Sequence, residues 1–262
     1  MNVFAIQPFG AAISPGASAK SIHNVNTDEL KGLIQKHALL LLRGFNFVED
    51  DQFVEFSKKL GELLEWEFGP ILELKINANP TNHIFTSGKV ELHWDGAFID
   101  KEPHFNIFNC IEGSPYDQGG QTLFVDTRRV LKNATATQLE HWRKITVTYT
   151  TEKKAHYGGR ITEKLVTKND FYGCDVIRFI EAFNEDNANI NPMDIRVEGV
   201  DREGSDAFLR SFNAHLYSSA YLYAHTWQSG DIIVADNSVL LHGRHRFFRQ
   251  DSARHIKRIN IV

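Results

Sequence analysis

The sequence predicts a β-rich α+β fold, a sandwich or jelly roll with helices packed outside it, and three observations carry that expectation. From Ile71 onward the chain breaks into short segments rich in β-branched and aromatic residues. Turn-forming residues bound these segments, and the regular strand-helix alternation of a parallel sheet is missing. Two amphipathic stretches precede the short segments and a third interrupts them near the C-terminal end. There is no repeat, low-complexity tract or long polar linker, so residues 1–262 are expected to form one domain.

The elements follow in chain order. Asn26, with Glu29 three residues later, resembles a capping box, and Leu30, Leu33, Ile34 and His37 then share one helical face, which predicts a helix over Thr27 to His37. The run Ala38-Leu39-Leu40-Leu41-Leu42-Arg43-Gly44 is continuously apolar and closed by glycine, the pattern of a strand buried on both faces. A second amphipathic helix is expected from about Asp51 to Leu60. Strands are then expected at Ile71 to Ile76, Phe105 to Ile111, Gln121 to Val125, Ile145 to Tyr149 and Val176 to Ile180. A helix near Ser205 to Tyr217 precedes further strands at Tyr221 to Trp227, Asp231 to Ala235 and His255 to Val262.

Composition limits the partners. With 29 basic and 33 acidic residues the net charge is −4, which provides no global field to draw nucleic acid or an anionic membrane. The basic run Arg244, Arg246, Arg249, Arg254, Lys257 and Arg258 is not accompanied by the basic overall charge that an aromatic-interleaved nucleic-acid surface would bring, so small carboxylates explain these arginines better. Only two cysteines occur, Cys110 and Cys174, without CxxC spacing, which fits a reducing cytoplasm and implies neither a disulfide framework nor a cysteine zinc site. The best apolar run, Ala38 to Leu42, is too short to cross a bilayer, and Met1 to Gly10 lacks the basic flank and apolar stretch of a signal peptide. The sequence leaves a homo-oligomer open.

One segment carries chemistry. Val90-Glu91-Leu92-His93-Trp94-Asp95-Gly96 sets a histidine and a carboxylate two residues apart, on one face of a strand, with Gly96 free to turn the chain after them. With 12 histidines and 33 carboxylates, roughly one or two such pairs arise by chance, so a third ligand must support this one. His242 closes the apolar strand Ile232-Ile233-Val234-Ala235 and its continuation Val239-Leu240-Leu241; a histidine there could also be a satisfied core residue. Two histidines and a carboxylate on one face of iron(II) leave open positions for a bidentate oxoacid and dioxygen. The oxoacid's far carboxylate needs a cation, and Arg258, with Arg254 on the same face of the last strand, can supply it by paired hydrogen bonds. Thr122, in Gly119-Gly120-Gln121-Thr122, can add a hydroxyl.

These residues resemble the TauD-type superfamily of iron(II) and 2-oxoglutarate dioxygenases. The resemblance covers nearly the whole chain and implies a double-stranded β-helix core, Fe(II) held by His93, Asp95 and His242, and 2-oxoglutarate held by Arg258 and Thr122, with O2 as the other co-substrate. Halogenating relatives replace the carboxylate by a small residue, so Asp95 speaks against halogenation. A narrower resemblance is to the PvcB-type enzymes. It rests on Leu39-Leu40-Leu41-Leu42-Arg43-Gly44-Phe45, Trp66-Glu67-Phe68-Gly69, His83-Ile84-Phe85, Leu92 to Gly96, Ala155-His156-Tyr157, and Ala235-Asp236-Asn237 leading to Leu241-His242-Gly243-Arg244. It implies a small-molecule substrate, the isonitrile of tyrosine or else tryptophan, oxidised at its benzylic carbon to an alkene with or without loss of the carboxylate. Ala97-Phe98 departs from the bulkier or more polar pair of one branch, which leaves the product open.

A substrate with an aromatic ring and a carboxylate needs an apolar slot and a cation or donor, for which Tyr157, Arg160 and Lys89 are candidates. The alternatives for them are a core aromatic and two solvated cations. Two other functions remain compatible with the sequence: a TauD-like hydroxylase of another small carboxylate or sulfonate, and a non-catalytic jelly-roll binding protein.

Overall fold

The computed structural model of the chain describes residues 1–16, 20–154, 157–183, 187, 189–190, 192–249 and 252–262, with the side chains of residues 154 and 157 outside that description. The chain opens with an antiparallel hairpin, β1 (Asn2–Ala5) and β2 (Ala11–Ser14). Helix α1 (Thr27–His37) starts where the Asn26 side chain accepts the backbone N–H groups of Asp28 and Glu29, and it buries Leu30 and Ile34. It stops at Ala38, whose left-handed φ of 63° turns the chain at once into β3 (Leu39–Leu42). Next come α2 (Asp50–Lys58), β4 (Leu72–Leu74), β5 (Val90–His93), β6 (Phe105–Glu112) and β7 (Thr122–Asp126).

Two helices not expected from sequence follow, α3 (Thr127–Asn133) and α4 (Ala136–Lys144). The start of α4 was legible, because Thr135 and Gln138 cap it reciprocally in the T-x-x-Q pattern. The chain continues through β8 (Thr146–Lys154), β9 (Tyr157–Lys164), β10 (Val166–Asn169), β11 (Cys174–Ile177) and β12 (Met193–Val197). It ends with α5 (Arg202–Leu216), β13 (Leu222–His225), β14 (Ile232–Asp236), β15 (Leu240–Arg244) and β16 (His255–Ile261).

Two sheets form the jelly roll, a seven-stranded one in the order β1-β2-β3-β14-β6-β16-β4 and a four-stranded one in the order β13-β7-β15-β5. Period-two alternation decides what lies between them. Leu39, Leu41, Phe108, Cys110, Ile233 and Ile256 of the larger sheet meet Phe124 and Leu240 of the smaller one. Their neighbours Leu40, Leu42, Ile107, Val234 and Ile259 point the other way, under Leu30 and Ile34 of α1 and Phe53 and Phe56 of α2. β3 is therefore buried on both faces, and each of its leucines contributes about 1.5–3 kcal/mol by leaving water.

The outer face of the four-stranded sheet is covered too. Leu92, Leu123, Val125 and Leu241 pack with Val147 and Tyr149 of β8, Ile195 and Val197 of β12, and Leu209 and Phe212 of α5. The result is the expected β-rich α+β jelly roll with flanking helices. Both faces of β5 and β15 are thereby held, which fixes the strands that carry the histidines. Among the described residues no helix is long and apolar enough to cross a membrane.

Candidate metal centre

β5 and β15 are antiparallel neighbours, and their register sets His93 directly opposite His242. Directly opposed residues on one face bring their side chains together, and here the two imidazole centroids are 4.3 Å apart. Asp95 lies just past the end of β5, two residues beyond His93 and on the same side. Gly96 then turns the chain with a φ of 109°, and a Cβ there would come within 2.8 Å of Glu102 Cα, so glycine is required.

Asn237, buried just after β14, holds the Asp95 backbone from both directions. Its Oδ1 accepts the Asp95 N–H at 2.9 Å, while its Nδ2 donates to the carbonyls of Asp95 at 2.9 Å and Pro103 at 2.8 Å. One ligand atom each from His93, Asp95 and His242 lies within 4.8 Å of the others. His93 Nε2 is 3.6 Å from Asp95 Oδ1, and His242 Nε2 is 3.8 Å from Asp95 Oδ2. His93 Nδ1 donates to the Glu91 carbonyl at 2.7 Å, which leaves the Nε2 lone pair free to coordinate.

The electrostatics suit a cation. Burial alone would raise the Asp95 carboxyl, but Arg258, His242 and His93 around it hold it well below the usual carboxylate range. Burial pushes His242 down to about 3, with His93 acting in the same direction, so its imidazole is neutral and able to bind metal. Two imidazoles and one ionised carboxylate on one side of a point form the donor set that iron(II) takes with positions to spare.

Arg254 and Arg258 divide in a way that the sequence did not show. Arg258 Nη1 lies 2.9 Å from Asp95 Oδ2, beside the cluster. Arg254 instead donates to the Gly120 carbonyl at 3.0 Å and to Thr122 Oγ1 at 3.3 Å. Thr122 shares a face of β7 with Phe124, whose register partner is His242, so it sits two residues, roughly 6.6 Å, along the strand from the histidine layer. A five-carbon diacid spans such a separation. Arg254 is buried, with its value lowered to about 10 by that burial, and it remains protonated. Among the described residues no carboxylate pairs with it, and its Nε has no acceptor. A buried cation without counter-charge is costly, and an anionic ligand removes that cost. The site therefore fits both a metal and an oxoacid.

The substrate candidates fare differently. Lys89 Nζ is 2.5 Å from Glu181 Oε1 and lies 4.7 Å from the centre of the Tyr217 ring, so its charge is already engaged. Arg160 is exposed on β9, at the edge of the three-stranded sheet β12-β8-β9. The side chain of Tyr157 and the neighbouring Ala155 and His156 lie outside the described residues. Asn237 escaped notice as a functional residue because its partners are remote in sequence. Arg244 also gains a role, its guanidinium donating to the carbonyls of Ile84 at 2.9 Å, Thr86 at 2.5 Å and Gly88 at 2.8 Å and so tying down the approach to β5.

Known proteins share this arrangement of strands. A family model described as Taurine catabolism dioxygenase TauD, TfdA family, matches residues 2–260. A protein of Fischerella ambigua named 3-((Z)-2-isocyanoethenyl)-1H-indole synthase is 38% identical over 261 residues, covering 100% of this chain and 95% of its own length. The tyrosine isonitrile desaturase of Pseudomonas aeruginosa is 34% identical over 255 residues, covering 97% of this chain and 87% of its own. The crystal structure of PvcB from Pseudomonas aeruginosa superposes with a TM-score of 0.78 at 31% identity, covering 97% of this chain and 86% of that one. A second PvcB structure, described as an Fe, alpha-ketoglutarate dependent oxygenase from an isonitrile synthetic pathway, gives 0.77 at 32% identity and the same coverage. The chain thus belongs to the TauD, TfdA family and is an iron(II)- and 2-oxoglutarate-dependent dioxygenase.

Proposed function

We propose that this enzyme oxidises the isonitrile of an aromatic amino acid at its benzylic carbon, forming an alkene with or without loss of the carboxylate. The observation that carries the reading is the juxtaposition of the His93, Asp95 and His242 cluster with the buried Arg254 beside Thr122, a guanidinium that no carboxylate among the described residues pairs with. Likeness over nearly the full chain to a tyrosine isonitrile desaturase and to an isocyanoethenyl-indole synthase supports the substrate class. In this reading the three residues hold Fe(II), and Thr122 and Arg254 take the distal carboxylate of 2-oxoglutarate. Iron, oxygen and the oxoacid supply the oxidising power for removing substrate hydrogen. The protein's part is to orient and to exclude water.

Arg258 faces the centre itself, where its guanidinium can balance Asp95 and meet a substrate carboxylate. The relative at 38% identity favours an indole ring in the substrate, and the desaturase at 34% a phenol. Residues 1–262 act as one catalytic unit in this reading, which the family match over residues 2–260 supports. A cytoplasmic enzyme needing no nucleic acid or membrane partner is consistent with the balanced charge.

The test is turnover of the two isonitriles by the iron-loaded enzyme, with succinate quantified and the organic product identified by mass spectrometry. Succinate and an alkene product are expected in equal amounts with tyrosine or tryptophan isonitrile, and neither with the free amino acids or taurine. Succinate released with taurine and not with either isonitrile would overturn the substrate class.

A further inference from the structure

We propose that Trp227 is a positioning residue of the oxoacid clamp, its indole N–H and Arg254 filling the two lone pairs of the Thr122 hydroxyl so that the single hydroxyl proton is left for the distal carboxylate of 2-oxoglutarate. The inference rests on the reading of Thr122 and Arg254 given above, and adds to it a residue that touches neither metal nor oxoacid.

A threonine hydroxyl has one proton to give and two lone pairs to receive. Trp227 Nε1 donates to Thr122 Oγ1 at 2.8 Å, and Arg254 Nη1 donates to the same oxygen at 3.3 Å. Indole and guanidinium nitrogens are donors only, so neither can take the hydroxyl proton back. Among the described residues no acceptor takes it, and both contacts of the Thr122 oxygen are ones it receives. Thr122 is buried on the inner face of β7, where an unfilled donor is costly unless a ligand meets it. An oxygen with both lone pairs occupied can approach a carboxylate in one way, as a donor.

The indole is itself held. Trp227 is buried, with the His225 ring edge-on at 4.5 Å and 87° and the Phe108 ring at 6.1 Å. His225 in turn is fixed at both nitrogens: Nε2 donates to Asp231 Oδ2 at 3.1 Å, and Nδ1 accepts from the Tyr223 hydroxyl at 2.8 Å. Arg43 grips Asp231 with Nε at 2.7 Å and Nη2 at 2.6 Å, so that carboxylate is already balanced and His225 serves as a neutral wedge. The chain from Arg43 to Trp227 thus ends on one hydroxyl oxygen.

The experiment is calorimetric binding to the Fe(II)-loaded enzyme without oxygen, using 2-oxoglutarate and, separately, oxalate, which can chelate the metal but has no distal carboxylate to reach Thr122. Trp227→Phe keeps most of the ring and removes the donor. It should weaken 2-oxoglutarate about 5- to 10-fold while leaving oxalate within about twofold, consistent with partial loss of one charge-assisted hydrogen bond. Thr122→Ala should weaken 2-oxoglutarate at least as much, and Trp227→Phe added to it should cause no further loss. Wild-type 2-oxoglutarate affinity in Trp227→Phe, an equal loss for oxalate, or multiplying losses in the double variant would each overturn the inference. Wild-type affinity in Thr122→Ala would instead overturn the clamp reading on which it rests. Should Trp227→Phe fail to fold, Thr122→Ser decides: serine lacks the methyl that stiffens the side chain, so it keeps wild-type affinity only where the two donors hold its oxygen, and a loss as large as that of Thr122→Ala would refute their role.

Discussion

Asp95 is the residue at which the charges of the centre meet, facing two imidazoles and the Arg258 guanidinium from within the barrel. Removing its charge leaves the metal two neutral ligands and leaves Arg258 with no counter-ion beside it. Asp95→Asn should therefore lower iron(II) affinity by about 100-fold or more and abolish turnover, which an anaerobic iron titration measures; unchanged affinity would show that the carboxylate is not a ligand. Asn237 acts one step away. Its side chain is buried and makes three hydrogen bonds to the Asp95 and Pro103 backbone. Asn237→Ala should cost about 2–3 kcal/mol of stability and weaken iron about 10-fold, since residues that orient ligands typically carry that much. A denaturant melt and the same titration separate the two effects. The proposed ligands were legible because their types and the His-x-Asp spacing are chemical facts of the sequence. Asn237 was not, because its effect depends on two carbonyls more than a hundred residues upstream.

At the scale of elements, the centre exists because β5 and β15 pair in one register. A slip by one residue would turn His93 or His242 to the opposite face, where Leu92 and Leu241 now pack. Gly96 secures the exit from β5. Gly96→Ala combines a φ of 109° with a Cβ 2.8 Å from backbone, so it should destabilise the fold by about 1–3 kcal/mol. A shift of the melting temperature with a parallel fall in iron affinity is the expected readout, and a protein as stable as wild type with full iron binding would show that the turn adapts. The strands buried in the two large sheets were readable from their apolar runs. β9 and β12 were missed for different reasons, β9 because it carries Gly158 and Gly159 and mostly exposed charged residues, and β12 because its alternating Met193, Ile195 and Val197 make only a five-residue run interleaved with Asp194 and Arg196. They are strands only because β8 lies between them to pair with.

At the scale of the whole molecule, burial leaves several histidines reluctant to take a proton. His215, His225, His242 and His245 are all lowered, with burial the leading cause in each. The unfolded chain protonates its histidines as pH falls through about 6.5, whereas the folded chain resists, so the stability they confer is complete above that pH and is lost progressively below it. His242, lowered to about 3, still refuses the proton at about pH 5, a cost of about 2 kcal/mol by linkage. The metal-free protein should thus melt about 5 °C or more lower at about pH 5 than at about pH 7.5, and a flat profile in calorimetry would show that these imidazoles are solvated. The sequence by itself determined the β-rich architecture, the sheet core at Leu39 to Leu42 and the three candidate ligands, because periodicity and side-chain chemistry are local properties. Only the tertiary structure decided that Arg254 meets Thr122 while Arg258 meets Asp95, and that Trp227 reaches the Thr122 hydroxyl and Asn237 the Asp95 backbone. A long side chain four residues from its twin can reach several partners, and which one it meets depends on strand register and on the packing of both sheets.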